Sequence, residues 1–234
     1  MKNFTNTYIF IFALVMVVIV ALLLSLAAMS LKPFQDKNIE EEKKQNILAS
    51  IHIESSRENA VELYSKYISS SFVLNNKGEK KDGIDAFSVD IKAELGKPAD
   101  QRSLPVYVGT LEDGTQAYVM PLRGKGLWGP IWGYISLKPD LNTVYGAVFD
   151  HQGETPGLGA EINTKWFQEP FNGKTIFRDS VNFVSVKVLK GGGTKDNPHA
   201  VDAISGGTIT SKALEAMLDS CLVQYKSYFI HNRK

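Results

Sequence analysis

The sequence predicts an α+β protein: a single N-terminal transmembrane helix, then a mainly antiparallel sheet domain with flanking helices. Three observations carry this. A long charge-free run opens the chain, short alternating apolar runs separated by turn residues fill its middle, and apolar residues at helical spacing lie on both sides of them. The 234 residues hold 26 basic and 25 acidic side chains, a net charge of +1, which gives no reason to expect nucleic acid. Cys221 is the only cysteine. This chain alone therefore makes neither an internal disulfide nor a cysteine-based zinc or iron–sulfur site.

Residues 8–31, YIFIFALVMVVIVALLLSLAAMSL, contain no charge. As a helix they would span about 36 Å, against a hydrocarbon core of roughly 30 Å. Tyr8, Phe10 and Phe12 stand at the start of the run, where aromatic rings favour the membrane interface. A cleaved signal peptide is the rival reading, since LAAMS offers small residues, but its apolar region runs only about 7–15 residues. A retained anchor over 1–35, with the lipid bilayer as partner, is favoured. Lys2 is the only basic residue before the span, whereas Lys32, Lys37, Lys43 and Lys44 follow it. Counted alone, these lysines put the remainder of the chain in the cytoplasm.

A helical connecting segment is expected over 36–71, where Ile47, Leu48 and Ile51, then Ala60, Val61, Tyr64, Tyr67 and Ile68, recur at three- and four-residue spacing. HIESSREN breaks it, with Ser55 or Ser56 as the expected cap. The run EEEKKQ reads as the solvated face of the first helix. The remainder, 72–234, is the sheet domain. LPVYVGTLEDGTQAYVMPL reads as a hairpin turning at Asp113–Gly114. IWGYISL and TVYGAVFD read as two further strands, and the alternation of SVNFVSVKVL as another. A final helix is expected from about Ser211, with Leu214, Leu218, Cys221, Tyr225 and Tyr228 on one stripe.

Several motifs are set aside on context. GKGLWG, Gly124 to Gly129, matches a dinucleotide fingerprint in letters, but Pro130 and a strand follow where a helix should open. Its glycines suit close approach to a neighbouring element or a flat ligand. His52, His151, His199 and His231 lack metal-ligand spacing, and no G-x-S-x-G marks a hydrolase. KGGGTKDNPHA lacks the ending of a phosphate loop and reads as a mobile connection. HQGETPGLG is either a structural turn or a ligand-facing loop.

VDAISGGTITS is the informative stretch. A helix N-terminus has unpaired amides and about half a positive charge. Gly206 and Gly207 would let an anion reach them, and Ser205, Thr208, Thr210 and Ser211 supply hydroxyls. Plain N-capping needs one hydroxyl; it leaves Asp202 and the glycine pair unaccounted for.

With these segments in hand, the chain resembles the family of covalently flavinylated C subunits of the sodium-translocating NADH:quinone oxidoreductases; the G subunit of the Rnf complex is the close homologue. The family's flavinylation signature is similar to DAISGGTIT: Asp202, Ser205, Gly206 and Thr210 match, and the attachment threonine falls on Thr208. Gly207 stands where the family most often has alanine. GKGLWGPIWGYI and HQGETPGLGAEI resemble the family's other marked segments, in the same order. The resemblance implies that 72–234 is an FMN-binding domain, with FMN joined through its phosphate to Thr208 by a separate flavin transferase. It implies an electron carrier that works beside other subunits of one complex and is not a complete enzyme on its own. The isoalloxazine is expected against Glu154, Thr155, Gly157, Leu158 and Gly159, with Trp128 a further apolar neighbour. Asp202 would orient the threonine or mark the motif for the transferase. The resemblance also sets the domain on the outer side of a bacterial inner membrane, against the lysine count.

Overall fold

The computed structural model describes residues 5–233, so the expectation attached to Lys2 lies outside the described residues. The chain divides into two compact units, Met1–Lys43 and Lys44–Lys234. From Asn6 onward the first unit is part of helix α1, Asn6–Ser50. Its apolar window has a mean hydropathy of 3.3 and no buried residue, so the helix is long and apolar enough to cross a membrane. Pro33 lies inside the helix and does not end it. One missing amide donor is outweighed by the turns on either side, and ion pairs at helical spacing, Lys32–Asp36 and Lys37–Glu41, lie around it and just beyond. Anchor and first connecting helix are thus one element.

In the second unit, Ile47, Leu48 and Ile51 are fully buried at and just beyond the end of α1. Helix α2 covers Ala60–Tyr67. Its start differs from expectation: Asn59 is the cap residue, and its side chain turns back to accept from the Ser56 amide at 2.7 Å. Neither Ser55 nor Ser56 caps it. The helical reading of Ile68–Ser71 is also corrected, because β1 runs Ile68–Leu74. Three consecutive serines are poor helix formers, and here the backbone instead pairs antiparallel with β3, Leu104–Thr110, through Phe72↔Val106 and its neighbours.

The sheet is six-stranded and antiparallel throughout, in the order β2-β1-β3-β4-β5-β6. It is completed by β2 (Lys80–Lys81), β4 (Gln116–Lys125), β5 (Pro130–Leu137) and β6 (Val144–His151). Alternation divides the buried residues between two faces. Val106, Met120, Leu122, Ile131, Ile135 and Phe149 pack with helix α5, Thr208–Leu222, while Tyr107, Val119 and Tyr134 pack with Ile47, Leu48 and Ile51.

The strand expected over SVNFVSVKVL is reduced to β7, Lys187–Leu189, paired parallel with β8, Ala200–Asp202, in a small separate sheet. Ser185 has φ +59°, a left-handed turn that breaks the alternating run before it can extend. Helix α5 starts at Thr208, three residues earlier than expected. After a 3-10 turn comes α6, Lys226–Asn232, and Leu214, Leu218 and Cys221 of α5, Tyr225 of the turn and Tyr228 of α6 are all buried.

Candidate functional site

Three sequence segments meet at one carboxylate. GKGLWG is the turn between β4 and β5, closed by the Gly126 amide donating to the Gly129 carbonyl at 2.8 Å. No helix follows it, in keeping with the rejected dinucleotide reading. HQGETPGLG leaves the end of neighbouring β6. Glu154 in that loop is 4% exposed. Its Oε1 accepts from the Trp128 amide at 2.9 Å, and its Oε2 accepts from the Thr210 hydroxyl in the first turn of α5. Glycines make room for it. A Cβ on Gly126 would lie 2.5 Å from Glu154 Oε1, and one on Gly159 would lie 2.3 Å from Thr210 Oγ1.

The start of α5 is left open to an anion. Gly207 is the cap residue and no side chain caps the helix, so plain N-capping does not account for the hydroxyls. Each hydroxyl of known partner is spent elsewhere: Ser211 Oγ accepts from the Ile204 amide at 3.1 Å, and Thr210 serves Glu154. Thr208 is the first helical residue and half-buried, and Ser205 beside it is exposed. No group in the described chain accepts from the amides of Thr208, Ile209 or Thr210. Gly206 turns the chain at φ +77°, and a Cβ there would strike Leu158 Cδ2 at 2.6 Å. This uncapped, glycine-lined helix start, with a half-buried hydroxyl at its first position, suits an anionic group such as a phosphate.

Leu158, 41% exposed, covers Gly206, and Trp128, 69% exposed, stands on the β4–β5 turn. Thr155 is exposed, and its carbonyl accepts from the amides of Leu158 and Ala160, both at 3.1 Å, folding Gly157 and Leu158 into a tight projection. Asp202 is bonded to another segment. Its Oδ1 accepts from the Thr194 amide at 3.1 Å and the Thr194 hydroxyl at 2.7 Å, and among the described residues it makes no hydrogen bond to Thr208.

Two residues escaped sequence reasoning. Lys174 is 8% exposed, and its ammonium donates to the carbonyls of Thr194, Lys195 and Asn197 at 3.0, 3.2 and 2.7 Å. With Asp202 it pins the loop read from sequence as a mobile connection. Glu161 accepts from the Gly157 amide at 3.0 Å, holding the Leu158 projection from beneath. Lys174 lies in no motif, and Glu161 sits within HQGETPGLGAEI without being singled out by it; their roles exist only once the loops have met.

The FMN-binding domain family matches residues 126–223. The chain is 34% identical over 209 residues to the C subunit of the Na(+)-translocating NADH-quinone reductase of Haemophilus ducreyi, covering 83% of this chain and 80% of that one. Its fold is similar to the crystal structure of the C subunit of the Na(+)-translocating NADH-quinone reductase from Parabacteroides distasonis, with a TM-score of 0.78, 45% identity, and coverage of 85% of this chain and 96% of that one. NqrC of Shewanella oneidensis shares the fold at a TM-score of 0.71 and 24% identity, over 82% and 96% of the two chains.

Proposed function

This chain belongs to the family of C subunits of the Na(+)-translocating NADH-quinone reductases, and on that premise we propose that it carries FMN joined through its phosphate to the Thr208 oxygen. It serves as a membrane-anchored electron carrier within such a reductase, receiving electrons from one neighbouring subunit and passing them to another. The single observation behind the attachment point is the open start of α5, where Thr208 is the first helical residue and Gly206 and Gly207 precede it.

FMN, when bound, supplies reversible electron uptake; the chain supplies its seat. A phosphodiester keeps one negative charge, which suits the unspent amides of Thr208, Ile209 and Thr210 and the positive end of the helix dipole. Leu158 and Trp128 offer exposed apolar surface to a flat ring. Ser205, Gly206, Gly207 and Thr210 shape the motif that a flavin transferase would read. Asp202 contributes at a distance, by holding the Thr194 loop. A covalent tether keeps the flavin bound in every redox state, whatever the affinity of each.

The same reading puts the flavin-bearing unit on the outer side of a bacterial inner membrane. Long translocated domains escape the lysine count, which governs short loops. A protease confined to the outside of intact cells or spheroplasts should digest it; digestion only after the membrane is breached would reverse the topology.

The attachment is tested by peptide mapping of the 201–212 region for the mass of an added flavin mononucleotide, with the full chain co-produced with a flavin transferase. The protein should stay fluorescent through a denaturing gel, and Thr208→Ala should abolish this. Flavin retained in that variant would move the acceptor to Ser205 or Thr210.

A further inference from the structure

We infer that Glu154 is a positioning residue that keeps a buried negative charge beside the flavin and so lowers the flavin's reduction potential. The inference rests on the reading of Thr208 as the flavin attachment point. Glu154 is 4% exposed, and both its partners, the Trp128 amide and the Thr210 hydroxyl, are neutral. Among the described residues no lysine or arginine pairs with it. Neutral donors share the charge without cancelling it, and burial keeps water from screening it.

Nor can the carboxylate move aside. Added Cβ atoms on Gly126 and Gly159 would lie 2.5 Å from Oε1 and 2.6 Å from Oε2, so those two backbones close directly over it. Thr210 shares the first turn of α5 with Thr208, and Leu158 on the Glu154 loop covers Gly206. The charge is thereby fixed within the shell of the flavin seat. Each electron accepted at the site from a neighbouring redox centre adds one negative charge there until a proton joins it. No bond on the protein forms or breaks, and Glu154 gives up no proton. A fixed anion close by disfavours the electron-rich form, which lowers the potential.

The test is a spectroelectrochemical titration of the bound flavin in the full chain, purified in detergent after co-production with a flavin transferase. Glu154→Gln removes the charge and keeps the shape. It should retain gel-stable flavin on Thr208 and titrate at a more positive midpoint potential, while Glu154→Asp, which keeps the charge, should stay near the parent. The difference should persist at high salt, because a buried charge is poorly screened. An unmoved or more negative potential in Glu154→Gln would overturn the inference. If that variant does not fold, Glu154→Met, neutral and of similar volume, reads the same sign; failure of both neutral variants to fold would reduce the residue to stability alone and overturn it too. A colourless parent protein would overturn the flavin reading and this inference together, whereas a yellow parent with an unmoved Glu154→Gln overturns only the inference.

Discussion

The Thr210 hydroxyl donates to Glu154 Oε2 across 56 residues of chain, and through that bond the start of α5 is locked to the loop that leaves β6. The Trp128 amide adds the β4–β5 turn to the same carboxylate. Thr210, two positions past Thr208, thus acts as a joint between segments and not as a helix cap. The hydroxyls of VDAISGGTITS divide their labour. Thr210 and Ser211 hold the architecture, and Thr208 is left at the open helix start.

Thr210→Val keeps the shape of the side chain and removes its donor, leaving a buried carboxylate with one bond fewer. Hydrogen bonds to buried charged groups are worth about 1.5–3 kcal/mol. The full chain in detergent should unfold at lower temperature by that measure. An unchanged midpoint would mean that Oε2 finds another donor and the joint is dispensable.

The site's glycines should differ in tolerance. A Cβ on Gly159 would sit 2.3 Å from Thr210 Oγ1 and 2.6 Å from Glu154 Oε2, so Gly159→Ala must force the joint apart, at a cost of about 1–3 kcal/mol. On Gly207 it would meet Ile204 at 3.0 Å and the Leu158 carbonyl carbon at 3.2 Å, contacts that ease with a shift of a few tenths of an ångström. Gly207→Ala should therefore fold with near-parental stability and keep its flavin. Thermal melts of the two variants side by side check the ordering; equal losses would refute it.

Local pattern explains which parts of this fold are legible in the sequence. The long apolar helix, the Asp113–Gly114 hairpin and the next two strands each carry their signal within a few residues, and each occurs in the structure. Ile68–Ser71 misled because Tyr67 and Ile68 continue a helical spacing while the decisive partner, β3, lies more than thirty residues away. The run before β7 misled because alternation says nothing of the left-handed turn at Ser185. At the site, glycines and hydroxyls marked the uncapped start of α5. The role of Asp202 was hidden, since its partner Thr194 reaches it only when the loop folds back, and Lys174 sits in no motif at all.

Lys174 supplies a further test of that folded-back loop. Its ammonium satisfies three backbone carbonyls at once, so Lys174→Met leaves all three without that donor and frees the loop at one end. A loss of about 1.4–2.8 kcal/mol of local stability corresponds to amide exchange roughly 10- to 100-fold faster. Hydrogen–deuterium exchange should show this in peptides covering 190–197 and leave β3 to β5 unchanged. Uniform acceleration across the sheet would instead make Lys174 part of the global core.

Alkaline pH should weaken the sheet domain through groups the site does not use. Burial pushes the Cys221 thiol above its ordinary value of 9.0, although backbone hydrogen bonding at Arg123 and the Ser220 side chain pull in the other direction. Burial likewise raises Tyr225 well above 10.0, with the neighbouring Cys221 adding to it. Folded chains therefore hold these protons at a pH where unfolded chains release them. For groups whose folded value is raised, the stabilisation is intact below the unfolded value and is lost as pH climbs toward the folded one. Stability should be level up to about pH 9 and then fall, by as much as about 1.4 kcal/mol per pH unit for each such group. Melting temperatures recorded at about pH 8, 9, 10 and 11 would trace this, and Cys221→Ser should flatten the first part of the fall, because a hydroxyl does not titrate there. A parent curve that stays level through pH 11 would mean that the thiol and phenol reach water without unfolding.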